Sequence, residues 1–97
     1  MSTLVSLTIF PMDKGESVSP YVARVVRLIR ESTLPHKIGP MSTAIEGETE
    51  EVMDLVRRCF EELEQDCHRV YMILTADYRK GGSGRIEEKV KSVLEKV

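Results

Sequence analysis

Apolar and polar residues alternate in residues 3–10, at the start of the chain. A period of two predicts a β-strand that buries one of its faces. Pro11 predicts the end of this strand, because proline cannot donate a hydrogen bond to a neighbouring strand. The side that we expect to be buried carries Val5, Leu7 and Ile9, and the other side carries Leu4, Ser6, Thr8 and Phe10.

Three later segments show helical spacing instead. We expect Ser19 to cap the first helix, with Pro20 at its first position, and Thr49 to cap a second helix that ends near Asp66. The third helix follows a glycine-rich break at residues 81–84. The predicted apolar stripes are Val22, Val25, Val26 and Ile29; then Val52, Met53, Val56, Cys59, Phe60 and Leu63; and finally Ile86, Val90, Val93, Leu94 and Val97.

Three further strands are predicted between these helices. Residues 36–38 and 43–47 flank the Gly39-Pro40 bend and should pair as a hairpin. Residues 69–77 are apolar on both faces, which is typical of a central strand or of a strand whose second face is covered by a partner.

The resulting order, β-α-β-β-α-β-α, predicts an α+β protein. The first six elements match the ferredoxin-like βαββαβ sandwich with a four-stranded antiparallel sheet, and a C-terminal helix follows. We expect one such domain over residues 1–97. Both main helices should lie on one side of the sheet and leave the other face bare. A bare, partly apolar face predicts stacking against a second copy of the chain.

Composition excludes several classes of function. The 97 residues carry a net charge of -2, and the basic residues are scattered among acids, so we expect no nucleic-acid interface. No apolar run reaches the roughly 18 residues of a membrane span, and the first residues do not resemble a signal peptide. Cys59 and Cys67 share no metal-ligand spacing with the histidines. A cytoplasmic protein with reduced thiols and no bound metal is expected.

Hydroxyl groups on the bare face are the first candidates for binding. Ser6 and Thr8 lie where a purely packing surface would favour valine or isoleucine. They either bond to each other, to water or across an interface, or they line a small-molecule pocket.

A carboxylate on the fourth predicted element is the next candidate. Glu46 is either solvated or paired with an arginine, or it accepts a cationic or amino-bearing ligand. Alternation separates Glu46 from Thr43 unless the strand contains a bulge. Asp77 most often would end or cap its strand, and Tyr71 either packs or stacks on a flat ring. On chemistry alone, a structural role is favoured over ligand binding for both Asp77 and Tyr71.

Catalytic signatures are lacking. Neither a nucleophile elbow, a zinc-protease helix motif nor a phosphate-binding loop pattern occurs, and neither histidine has an identifiable nucleophile. The glycines at 81–84 precede a helix, but a hinge explains them better than a phosphate site. We therefore expect no enzyme activity.

Taken together, these residues resemble the small thiamine-binding-protein family of archaea, bacteria and yeast. The resemblance covers essentially the whole chain. It is carried by Ser6 and Thr8 before Phe10-Pro11, by the run 39–43, by Ile45-Glu46-Gly47, by Arg69-Val70, by Asp77-Tyr78-Arg79, and by the run 89–93.

The resemblance implies a ferredoxin-like fold, homodimers formed through the sheet faces, and dimers paired into homotetramers. It also implies a non-catalytic pocket for thiamine or its hydroxymethylpyrimidine part, with no other cofactor. The candidate ligand-binding residues are Ser6, Thr8, Thr43 and Glu46, followed by Tyr71 and Asp77. Two alternatives remain: an oligomeric regulatory or assembly module without a ligand, and an enzyme acting on thiamine-like metabolites.

Overall fold

The computed structural model describes residues 2–97 of the chain. Within them the elements follow the predicted order. They are β1 (Ser2–Pro11), α1 (Ser19–Glu31), β2 (His36–Ile38), β3 (Thr43–Gly47), α2 (Thr49–Glu64), β4 (Val70–Arg79) and α3 (Arg85–Leu94).

The four strands form one antiparallel sheet in the order β2-β3-β1-β4. β1 lies inside the sheet because α1 carries the chain past one strand position and α2 carries it back past another. This confirms the α+β, ferredoxin-like prediction. β4 lies at an edge, so the central position considered for residues 69–77 is wrong. The other alternative for these residues, a second face covered by a partner, stays a prediction.

The core lies between the sheet and the pair α1 and α2. The alternation predicted for β1 is confirmed, since Val5, Leu7 and Ile9 are at most 5% exposed. Buried residues of the two helices pack against these strand residues. They are Val25 and Ile29 of α1, and Val52, Leu55, Val56, Cys59 and Leu63 of α2.

Both predicted helix caps are wrong by one residue. Val18 occupies the cap position of α1, so Ser19 is already helical. Glu48 occupies the cap position of α2. The hydroxyl of Thr49 instead forms a hydrogen bond with the hydroxyl of Thr3 on β1, and this tertiary contact replaces the local one.

One residue of the predicted α2 stripe is also misplaced. Met53 is 37% exposed, whereas Leu55, which the prediction omitted, is 1% exposed. Residues three and four apart share a helix face. Leu55 lies three positions after the buried Val52 and four before the buried Cys59, and Met53 lies beside that face.

The opposite face of the sheet is not entirely bare. α3 packs against it beside β3, which corrects the expectation of an uncovered face. The apolar stripe of α3 is nevertheless largely in solvent, because Val90, Val93 and Leu94 are 48%, 62% and 66% exposed. α3 is thus attached to the sheet mainly through its beginning.

Helix length also bears on the membrane prediction. A helix needs about 20 apolar residues to span a bilayer. The longest helix, α2, has 16 residues. Across residues 2–97, the structure contains no helix with the length and apolar character to cross a membrane.

Replacing Leu55 by alanine should destabilise the fold strongly. The variant leaves a cavity beneath α2, and such substitutions cost about 2–5 kcal/mol. Met53→Ala, two residues away on an exposed position, is the matched control and should cost less than about 1 kcal/mol. Urea unfolding at one fixed protein concentration measures both, and equal losses would contradict the assigned core.

Candidate functional site

The face of the sheet away from α1 and α2 is here called the open face. Leu4 is paired with Glu46 on β3 and with Asp77 on β4, and paired residues point to the same side of a sheet. The register therefore gives the open face these residues: Leu4, Ser6, Thr8 and Phe10 of β1; Lys37 of β2; Ala44 and Glu46 of β3; and Tyr71, Ile73, Thr75 and Asp77 of β4.

Glu46 joins the open face to α3. Its Oε2 atom accepts a hydrogen bond from the backbone N–H of Arg85 at 3.0 Å, and its Oε1 atom accepts one from Ile86 at 3.3 Å. The first amides of a helix have no partner within the helix, and its dipole favours a negative charge there. Glu46 is only 3% exposed, and both its carboxylate oxygens anchor α3.

A second set of contacts holds α3 through the side chain of Arg85. Its Nη2 atom lies 2.5 Å from Oδ2 of Asp77, and its Nη1 atom donates to the Asp77 carbonyl oxygen at 2.9 Å. The Nζ atom of Lys89 donates to the same carboxylate oxygen at 2.8 Å. The hydrogen bond from Lys89 and the charge of Arg85 hold the pKa of Asp77 below its ordinary value. Asp77 is therefore an ionised group shared by two cations.

The turn between β2 and β3 faces α3 across the open face. The N–H of Gly39 donates to the carbonyl oxygen of Ser42 at 2.9 Å, which closes the turn. A Cβ at position 39 would lie 2.9 Å from that same oxygen, so the turn requires glycine. This local geometry is what the Gly39-Pro40 bend predicted.

Between this turn and α3 lies a cleft of about 580 Å³, here called the open-face cleft. Leu4, Ser6, Ala44 and Thr75 of the sheet line it, together with Ser42 of the turn, Ile86 and Val90 of α3, and the charged residues Lys37, Asp77 and Lys89. The cleft thus combines an apolar surface with a few hydroxyls and charges. This is the usual composition of a small-molecule site.

The six predicted binding residues do not all meet at this cleft. Ser6 and Asp77 line it. Glu46 lies beside it beneath the start of α3, so a ligand would reach the Glu46 carboxylate only if α3 moved. The separation of Thr43 from Glu46 by strand alternation is confirmed, because the register of β3 with β1 runs without interruption.

Thr8 and Thr43 line a different and smaller groove, of about 210 Å³, between α1 and the β2–β3 turn. Thr43 belongs to the helix side of the sheet, where it is paired with Leu7. The hydroxyl of Thr8 donates to the carbonyl oxygen of Met41 at 2.9 Å and so ties the turn to β1. Thr8 therefore has a positioning contact whether or not it meets a ligand.

Tyr71 lies on the open face at the far end from α3. Its ring centroid is 5.9 Å from that of Phe10, with which it is paired across the strands. The side chain is 48% exposed. It has a packing partner and also an accessible ring, so its predicted stacking role stays a prediction.

Four residues that shape the cleft were missed from the sequence. Lys37, Thr75 and Lys89 line it, and Arg85 positions α3. A cation in the first turn of a helix is disfavoured by the helix dipole. The position of Arg85 directly after Gly84 was therefore the available signal that its side chain is needed elsewhere.

Thiol and metal chemistry receive no support from the described residues. Within residues 2–97 no three side chains of histidine, cysteine, aspartate or glutamate are grouped closely enough to hold a metal ion. Burial raises the pKa of the Cys59 thiol to about 11, so the thiol is protonated and unreactive at neutral pH.

Comparison with known proteins shows to which family this chain belongs. The model of the thiamine-binding protein family matches residues 5–94. The chain belongs to this family. It is 36% identical over 94 residues to UPF0045 protein Mb1933 of Mycobacterium bovis, a match that covers 96% of this chain and 92% of the relative.

Solved structures share the fold of this thiamine-binding-family protein. The crystal structure of MJ1052 from Methanocaldococcus jannaschii has a TM-score of 0.88 at 29% identity and covers 97% of both chains. A Thermotoga maritima protein, TM0486, is named for a suggested role in thiamine biosynthesis or salvage. It has a TM-score of 0.84 at 32% identity and covers 96% of this chain and 99% of its own.

Removing the charge of Glu46 should loosen α3 without unfolding the sheet. In Glu46→Gln one oxygen and the negative charge are lost from two buried hydrogen bonds, at a cost of about 1–3 kcal/mol. Limited proteolysis with trypsin, which cleaves after lysine and arginine, should cut faster in residues 79–85. The control is Glu48→Gln, whose side chain makes no cap bond. Equal cleavage rates in both variants would contradict the anchoring role of Glu46.

Proposed function

We propose that this protein binds thiamine or its hydroxymethylpyrimidine part without catalysis, and that the open-face cleft is the binding site. The observation that carries the proposal is the match to the thiamine-binding protein family over residues 5–94. The name of TM0486, which connects a protein of the same fold with thiamine biosynthesis or salvage, supports it.

The chemistry of the cleft supports the same ligand. Its volume of about 580 Å³ lies within the roughly 300–1,000 Å³ of ordinary ligand sites. Leu4 and Ala44 offer an apolar surface for a flat ring. The hydroxyls of Ser6 and Thr75 both donate and accept, which suits an aminopyrimidine with its amino group and ring nitrogens.

We further propose that the open face pairs with a second copy in a homodimer and that two dimers form a homotetramer. Tyr71 and Ile73 are 48% and 49% exposed on the open face. Large exposed apolar side chains on one face mark an interaction surface. A partner on this face would also enclose the cleft, so the proposed binding site would lie at the oligomer interface. The cytoplasmic location stays a prediction from the sequence.

The alternative function is an oligomeric regulatory or assembly module with no small-molecule ligand. The exposed Val93 and Leu94 of α3 favour it, because these apolar side chains do not line the open-face cleft that the thiamine proposal needs. This alternative predicts a stable oligomer whose melting temperature does not change when thiamine is added.

Titration calorimetry at millimolar ligand concentration tests the binding proposal. Thiamine or hydroxymethylpyrimidine should bind, and Ser6→Ala should weaken binding by about threefold to tenfold, because a hydrogen bond inside the cleft is lost. Ser17→Ala, in the exposed loop before α1, is the control and should bind like the unchanged protein.

Failure of thiamine, hydroxymethylpyrimidine and their phosphates to bind would refute the ligand proposal. Binding that is unchanged in Ser6→Ala would leave the ligand but remove the open-face cleft as its site.

Light scattering at micromolar concentration tests the assembly. Ile73→Glu places a charge in the centre of the proposed contact and should dissociate the oligomer. Met53→Glu, an exposed apolar position on α2, is the matched control and should leave the mass unchanged. A monomeric unchanged protein would refute the stacked-sheet arrangement.

A further inference from the structure

The open-face cleft carries an uneven set of charges. Lys37, Asp77 and Lys89 line it, while Arg85 and Glu46 lie directly behind the start of α3. Among the residues that the structure describes, three cations thus meet two carboxylates around the cleft. One positive charge is left over, and the hydrogen bonds show which one it is.

Both carboxylates are already occupied. Each oxygen of Glu46 accepts a backbone N–H of α3, at 3.0 and 3.3 Å. Oδ2 of Asp77 contacts Nη2 of Arg85 at 2.5 Å and Nζ of Lys89 at 2.8 Å. Neither group therefore presents an uncompensated negative charge to the cleft.

Lys37 is the cation without a counter-charge. It lies on β2 opposite Ala44, so its side chain starts on the open face at the edge of the cleft. Within residues 2–97 its ammonium group makes no hydrogen bond or ion pair. The hydroxyl-bearing residues Ser6 and Ser42 line the same cleft and offer further donors.

This pattern fits an anion better than a cation. An unpaired ammonium repels the positively charged thiazolium ring of thiamine and attracts a phosphate, which carries about -1.5 to -2 charges near pH 7 and several acceptor oxygens. The cleft contains no free carboxylate that would reverse this preference among the described residues.

We propose that the open-face cleft selects a phosphate ester of its ligand over the unphosphorylated form, with Lys37 as the residue that determines this specificity. The proposal rests on the proposed function, since it assumes a thiamine-like ligand in this cleft. The phosphate group lies toward Lys37 at the β2 side, and the pyrimidine lies over Ser6 and Thr75. Lys89, which already shares Asp77, contributes less.

Calorimetry with thiamine and thiamine monophosphate, on the unchanged protein at low salt, tests the preference. The monophosphate should bind about fivefold to tenfold more tightly, because one extra charge-assisted contact forms. Lys37→Gln should reduce this ratio to about one, and Lys37→Arg should retain it. Lys91→Gln, which removes an exposed cation of α3 outside the cleft, should leave the ratio unchanged.

Two further measurements sharpen the result. Raising the salt concentration to about 0.5 M should shrink the preference, because screening weakens an exposed charge contact. Inorganic phosphate alone should bind more weakly than the monophosphate, since it lacks the ring. Equal affinity for inorganic phosphate would show a simple anion site and overturn the proposal.

The outcomes separate this inference from the proposed function. If thiamine binds and the monophosphate binds no more tightly, the phosphate preference is overturned while the proposed function stands. The same holds if the ratio survives in Lys37→Gln, with circular dichroism showing that the variant is folded. If thiamine, hydroxymethylpyrimidine and their phosphates all fail to bind, both proposals fall.

Discussion

The carboxylate of Glu46 at the beginning of α3 is the contact on which the position of this helix over the open face depends. It is a buried charge on a strand, stabilised by two amides that would otherwise lack partners. Because these two bonds fix where α3 starts, they also fix one wall of the open-face cleft. Asp77 and Arg85 add a second point of attachment, so the helix direction as well as its origin is set. One wall of the open-face cleft is therefore positioned by hydrogen bonds made within the chain.

Much of the architecture could be predicted because it rests on local patterns. The alternation in β1, the hairpin around Gly39 and the helical spacing of α2 each need only a few neighbouring residues, and all appear in the structure. The division of Thr43 from Glu46 followed from the same period of two. The errors at Ser19, Thr49 and Met53 came from tertiary contacts or one-residue shifts, which local propensity does not report.

The site was harder to predict, because its contacts join residues far apart in sequence. Glu46 and Arg85 are 39 positions apart, and nothing in the spacing of either reveals the other. The sequence left Glu46 either solvated or paired with an arginine, or accepting a ligand, whereas both its oxygens accept backbone N–H groups of α3 in the structure. The sequence did not single out Lys37, because the role proposed for it depends on the pairing of Asp77 with Arg85 and Lys89 in the folded chain. Which charged groups are already paired depends on the three-dimensional structure and cannot be read from the sequence.

The short glycine-rich connection, residues 80–84 between β4 and α3, explains how a helix with so little buried surface stays in place. Because this connection is short, it keeps α3 at a high effective concentration beside the sheet. Packing of α3 on the sheet therefore costs much less entropy than the binding of a separate helix would. A few polar contacts are then enough to hold α3 against the sheet, and most of its apolar side chains are not buried there. The connection thereby leaves Val90, Val93 and Leu94 available for contacts between molecules.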